Sequence, residues 1–303
     1  MPAVPPLFPA THSDPSPAPR GPSAPKILLT VAGFDPAGGA GILADIKTFH
    51  AQGLYGMACI TALTIQNSQG VRAVEPVSAA TVQATLETLV EDVSFAAIKI
   101  GMLGTGAVAE VVAEFLDGLR GSKQPAATLE AARIPIMLDP IVRSSSGAEL
   151  LDAAGQKILR ERLLAVAGWI TPNLPELAAL TGRPVATSRA EVEAGAQALL
   201  AQAETLGNPH LRVVVTGGHA ERTDDLLWTD NGGQWFAGER VETQSTHGTG
   251  CTFSSALAAR LVLGDGDAEA VRAAKDYVTG AMRAAQPIGQ GHGPLEHFWR
   301  RQR

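Results

Sequence analysis

Two kinds of apolar pattern alternate along the chain. Short, dense apolar runs read as strands buried on both faces: ILLTVAG (27–33), MACITALTIQ (57–66), AAIKIGM (96–102), IPIMLDP (134–140), GWITPN (168–173) and RVVVTGG (212–218). Between them, apolar positions recur at three- and four-residue spacing. That spacing predicts helices over 41–53, with Ile42, Ile46 and Phe49 on one face, over 78–92 and 106–119, and near 150–165. It predicts further helices from LPELAALTG and over 188–206, 250–263 and 267–285. Residues 224–230 and 234–241 read as a hairpin around Asn231-Gly232-Gly233. Such alternation predicts an α/β fold, a mainly parallel central sheet with helices on both faces and ligands at the carboxyl ends of the strands. Residues 26–303 read as one domain with no internal repeat, and GSKQPAATLEAA (121–132) as a surface loop.

Composition narrows the function classes. The chain is 45% apolar and 18% charged, a globular balance, and no apolar run approaches the ~18 residues of a spanning helix. Net charge is −6, so no overall positive field recruits nucleic acid or an anionic membrane. An anionic ligand has to be held by local backbone dipoles and a few placed cations. The two cysteines, Cys59 and Cys251, make neither a CxxC pair nor a metal-ligand spacing, which points to a reducing, cytoplasmic setting. Residues 1–25 hold nine prolines and read as a disordered tail.

The unusual residues cluster at strand ends. After the first strand, Gly38-Gly39-Ala40-Gly41 leads into a helix, which is either a ligand-approaching turn or an ordinary β–α turn. It does not fit GxGxxG, and the absence of any Gly-Lys dipeptide excludes a Walker A loop. Gln66 ends the second strand; its amide can pair with a ring nitrogen and a neighbouring amino group, or be a plain loop residue. Asp139 and Glu176 follow separate strands and suit a hydrated Mg²⁺ beside phosphates, although Glu176 also suits the first turn of a helix. Thr216-Gly217-Gly218 ends a further strand and can border a nucleotide. In STHGTGCTFSSALAARLVLG (245–264), Gly248 and Gly250 free the backbone where a helix starts. The amides of Thr249, Gly250 and Cys251 then form an anion hole suited to a transferring phosphoryl group. The same dipole predicts a Cys251 thiol drawn from ~8.5 toward neutrality, able to take a proton from an alcohol. A small buried helix-start residue is the plainer reading of Cys251, and burial the reading of Cys59. His247 is either a phosphate contact or a packing residue.

LTVAGFDPAGGAGILADIKT, TALTIQN, IKIGML, LDPIVRSSSG, ITPNLPELAALTG, TGGH, STHGTGCTFSSALAA and GHGPLEHF occur in this order and span essentially all of 26–303. Together they closely resemble the hydroxymethylpyrimidine/phosphomethylpyrimidine kinases of thiamine biosynthesis, within the ribokinase-like superfamily. The resemblance implies a three-layer sandwich, ATP and Mg²⁺ as cofactors, a small pyrimidine as substrate, and a homodimer. It implies two phosphorylations, of 4-amino-5-hydroxymethyl-2-methylpyrimidine and then of its monophosphate. Carried over by motif, Gln66 reads the pyrimidine, Asp45 and Gly33 line its pocket, and Met102 is an apolar wall. Asp139 and Glu176, with Asn173, form the magnesium and phosphate region, and Gly248, Thr249, Gly250 and Cys251 the anion hole and base.

One departure stands out. The family often has lysine where Thr216 stands, so a positive charge near the nucleotide phosphates is missing. Arg143, in DPIVRSSSG, is the expected substitute, because a guanidinium forks onto phosphate. The rival readings are a pyridoxal kinase on the same fold, a nicotinamide oxidoreductase, against which the missing GxGxxG weighs, and a non-catalytic pyrimidine-binding regulator, which has no need of an anion hole.

Overall fold

The computed structural model describes residues 25–121, 134–144, 147–217 and 223–300. The expected tail over 1–24, most of the 121–132 loop and Gly218 lie outside the described residues.

Nine strands form one sheet in the order β3-β2-β1-β4-β5-β6-β7-β8-β9 among the described residues. They are β1 (Ile27–Phe34), β2 (Tyr55–Asn67), β3 (Gly70–Pro76), β4 (Ala97–Ile100), β5 (Ile136–Leu138), β6 (Trp169–Ile170), β7 (Arg212–Val215), β8 (Asp225–Thr229) and β9 (Gly232–Phe236). From β2 through β7 every pairing is parallel; β3 pairs antiparallel with β2, and β8 and β9 close the other edge antiparallel. The helices are α1 (Gly41–Ala51), α2 (Ala79–Asp92), α3 (Gly106–Gly121), α4 (Ala153–Ile158), α5 (Leu164–Val166), α6 (Leu174–Thr181), α7 (Arg189–Thr205), α8 (Thr249–Leu263) and α9 (Asp267–Ala284).

Strand alternation divides the interior into two cores. Leu28, Ala97, Met137, Trp169 and Val214 face α1, α8 and α9. Their sequence neighbours Leu29, Ile98, Leu138, Ile170 and Val213 face α2, α3 and the helices that follow. This period of two on consecutive parallel strands is what a sheet covered on both sides requires.

Two expectations change. The segment after Gln66 forms β3, a short edge strand in the register Gln66↔Val71. The helix expected near 150–165 is three pieces, with a π-helical turn at Leu159–Leu163 between α4 and α5. Helix starts follow local chemistry. Asn173 and Glu176 form a capping box on α6 and Ser188 and Glu191 another on α7. Helix α8 differs: its N-cap is Gly248, with no side-chain cap.

Candidate active site

The carboxyl end of β1 builds the first wall. Asp35, buried at the top of the strand, organises the glycine turn: Oδ1 accepts from the Ala37 amide at 2.8 Å, and Oδ2 from those of Gly39 at 3.0 Å and Ala40 at 2.8 Å. Oδ2 is also 2.8 Å from Nε2 of His247, and the Gln66 side chain is near enough to help lower the same carboxyl. Burial alone raises this group, but His247, Gln66 and the Ala40 amide outweigh it and hold it at about 2. Asp35 therefore joins two residues that lie far apart in sequence.

The glycine turn meets the loop before α8 directly. A Cβ on Gly248 would sit 1.8 Å from the Gly39 carbonyl oxygen, and Gly248 has φ +84°. Only glycine allows that approach. With no side chain capping α8, the Gly250 and Cys251 amides of its first turn have no side-chain partner, whereas the Thr249 amide donates to the Thr246 carbonyl at 3.4 Å. Gly33 packs on Met102, whose Sδ lies 2.8 Å from where a Cβ would be. Met102, Ala62 and Leu150 form a small apolar cluster apart from the two cores. Gly33, Met102, Gln66, His247 and Gly248–Cys251 thus belong to one region.

Asp45 is fully buried. Thr30 Oγ1 donates to it at 2.6 Å, Ser255 Oγ at 2.7 Å, and Lys99 Nζ to both oxygens at 3.1 Å. Lys99 also stands 3.6 Å from Asp139, and Ser254 Oγ donates to Asp139 at 3.1 Å. Two adjacent serines of α8 are therefore tied to two carboxylates that a buried ammonium bridges. Burial alone would lower Lys99, but Asp45, Cys251 and Asp139 hold it above its ordinary value.

Cys251 corrects an expectation. Its thiol is not drawn toward neutrality. Burial is the largest influence; Lys99 and the Gly41 amide lower it, Asp139 and Asp45 raise it, and the result is about 12. The helix dipole invoked from sequence acts at the exposed amides, whereas the sulfur points into a desolvated cluster of charges. The sulfur is nonetheless beside the reactive end of α8 and within the field of Lys99 and Asp139.

Asp139 and Glu176 come together as expected. Burial first, then the Asp139 charge, pushes Glu176 up to about 8, against the Asn173 bonds that lower it. Asn173 and Glu176 cap α6 reciprocally at 2.9 Å, so the helix-start reading of Glu176 holds. At the end of β6, with its amide bonded to the Leu138 carbonyl at 3.0 Å, Thr171 has a buried Oγ1 without a partner. Thr216 lies beside Asn173 through a bridge, its amide bonded to the Pro172 carbonyl at 2.9 Å. Arg143 is exposed in the loop after Asp139, on a bridge to Glu149. No group of three or more His, Cys, Asp or Glu side chains forms a metal cage among the described residues.

Sequence reasoning overlooked Asp35 and Lys99. A lysine inside the apolar run AAIKIGM was the available signal for Lys99. For Asp35 it was Asp-Pro opening a glycine turn.

Solved structures share this fold. A Bacillus subtilis pyridoxal kinase, solved as an ADP complex, superposes with a TM-score of 0.77 and 31% identity over 92% of this chain and 99% of its own. A phosphomethylpyrimidine kinase from Clostridium difficile 630 does so with a TM-score of 0.69 and 32% identity, over 84% and 98%. The fold is that of the ribokinase-like small-molecule kinases. Within that class, the Phosphomethylpyrimidine kinase family model matches residues 35–296. A hydroxymethylpyrimidine/phosphomethylpyrimidine kinase from Haemophilus influenzae is 40% identical over 279 residues, covering 90% of this chain and 97% of its own. This chain belongs to the phosphomethylpyrimidine kinase family.

Proposed function

We propose that the chain uses ATP to phosphorylate 4-amino-5-hydroxymethyl-2-methylpyrimidine, first on the hydroxymethyl oxygen and then on the resulting phosphate. The observation that carries this is the contact of Gly248 with Gly39, which sets the uncapped start of α8 against the Asp35–Gln66 wall in a chain of this family.

Gln66, oriented by Asp35, pairs with the aminopyrimidine edge, and Met102 packs on the ring. The hydroxymethyl oxygen attacks the γ-phosphorus as the bond to the bridging oxygen of ADP breaks. The Gly250 and Cys251 amides hold charge on the moving phosphoryl. The alcohol proton passes to Cys251 sulfur in its thiolate form, a fraction that grows with pH because burial holds the thiol up. The second acceptor, a phosphate oxygen, is already ionised and has no such proton to lose.

Asp139 and Glu176 fit a hydrated Mg²⁺: two facing carboxylates, one pushed up by the other's charge, beside a buried hydroxyl without a partner. Bound there with ATP, the ion would neutralise the donor phosphates. The groove between residues 237–239 and α9, with Thr279 and Arg283 on its rim, suits the nucleotide base. Arg143 supplies charge in place of the lysine that Thr216 replaces. ATP as donor agrees with the ADP held by the related B. subtilis enzyme. No helix among the described residues is long and apolar enough to cross a membrane, and the chemistry belongs in the cytoplasm, where ATP is made available. A homodimer formed over the exposed Leu63 and Ile65 of β2 completes the reading; gel filtration tests it.

A coupled ADP-release assay with the hydroxymethylpyrimidine, its monophosphate and pyridoxal side by side tests the function. Turnover of both pyrimidines above pyridoxal is the expected result. Preference for pyridoxal, or pyrimidine binding without ADP release, would replace this reading with one of its rivals.

A further inference from the structure

The segment after α9 crosses the mouth of the site as a strap and joins its two halves. At one end it meets the turn between β2 and β3. Ser68 Oγ accepts from the Gln290 and Gly291 amides at 3.2 Å, and the Ser68 carbonyl accepts from the His292 amide at 2.8 Å. At the other end it meets the loop before α8. The Gly293 carbonyl accepts from the His247 amide at 3.0 Å, the Gln244 carbonyl accepts from the Gly293 amide at 3.2 Å, and Thr246 Oγ1 is 3.0 Å from His292 Nδ1. Beyond the strap, His297 is buried against Thr252 of α8 at 3.2 Å, which anchors it.

These bonds close a circuit. Gln66 lies beside Asp35, Asp35 bonds His247, His247 bonds the strap, and the strap bonds Ser68, two residues from Gln66. Beyond Leu63, β2 pairs only with the edge strand β3, and a two-stranded ribbon is marginally stable by itself. We propose that Ser68 is a positioning residue for the pyrimidine site, acting through the strap 286–294 to hold the Gln66 hairpin in register with the His247–Gly248 loop. This rests on the pyrimidine reading given above. The strap makes the substrate side and the phosphoryl side one preorganised unit.

Two variants attack the joint from opposite sides. Ser68→Ala removes the hydroxyl acceptor. Gly291→Ala places a Cβ 2.1 Å from the Ser68 carbonyl oxygen and pushes the strap away. Each is expected to raise KM for the hydroxymethylpyrimidine about tenfold, the worth of one or two lost hydrogen bonds. KM for ATP stays within about twofold, and Ser68→Thr, which keeps the hydroxyl, restores the pyrimidine KM. A purely structural role lowers the folded fraction and so kcat, leaving KM unmoved. The tie is also read without substrate: in Ser68→Ala the His247 amide should exchange with solvent about tenfold faster. Wild-type pyrimidine KM in both variants, or a wild-type exchange rate at His247, overturns the proposal. Failure of the unaltered protein to turn over the pyrimidine, with His247 exchange accelerated in Ser68→Ala, keeps the tie and removes only the substrate assignment.

Discussion

Replacing Gly248 with alanine isolates the loop contact on which the site depends. Gly248 has φ +84°, a conformation that costs alanine about 1–2 kcal/mol. The added Cβ would lie 1.8 Å from the Gly39 oxygen and 3.1 Å from the Ala40 Cα, where a carbon and an oxygen normally keep about 3.3 Å. The two loops must therefore part by about 1.5 Å, the difference between those separations. A displacement of about 1 Å costs on the order of 100-fold in rate, and loss of one anion-hole donor about 100- to 1000-fold. Gly248→Ala is thus expected to lower kcat at least about 100-fold with both acceptors, because the amides serve both transfers. The two cores lie away from the contact, so the protein still folds, with a melting temperature lower by several degrees. Coupled ADP release with each acceptor, alongside a thermal melt, measures this. A lowered melting temperature with kcat within threefold of wild type for both acceptors would refute the reasoning.

Asp35 is held at about 2 against an ordinary 3.8, so its contribution to stability is complete above about pH 4 and is lost as the pH falls through 2. Acid unfolding of the wild type should show roughly 2 kcal/mol lost across that window, and Asp35→Asn should lack that slope. Because the Cys251 thiol lies near 12, its thiolate fraction rises about tenfold per pH unit below that value. The alcohol step should accelerate accordingly between pH 6 and about 8, and a flat profile there removes the sulfur from the proton path. Glu176→Gln should raise the KM for magnesium-ATP about tenfold, the scale of one lost charged contact, and Arg143→Ala should raise the KM for ATP. Steady-state titrations check both, and an unchanged constant withdraws the corresponding residue.

Most of the fold was legible in the sequence because buried parallel strands are continuous apolar runs, and those runs sit where β1, β2 and β4 to β7 sit. The edge strand β3 was not: VRAVEP is half exposed and carries charge, so it has no core pattern to announce it. Near Leu159 the helical ladder shifts to a π turn, which periodicity alone does not mark. At the site, glycine loops, Gln66 and the paired carboxylates were readable because strand ends in this fold face ligands. Lys99 stayed hidden because its partners come from α1, β5 and α8 and meet only after the sheet closes. The Cys251 thiol was misjudged for the same reason. A helix start is a local feature, whereas burial among Lys99, Asp45 and Asp139 is tertiary.

Turnover of Cys251→Ala on the two acceptors tests the central claim most directly, since the amides serve both transfers and the sulfur only the one with a proton to lose. The account predicts a fall of about 100-fold or more with the hydroxymethylpyrimidine, the usual scale of a lost general base, and less than about fivefold with its monophosphate. Equal losses with the two acceptors would contradict it.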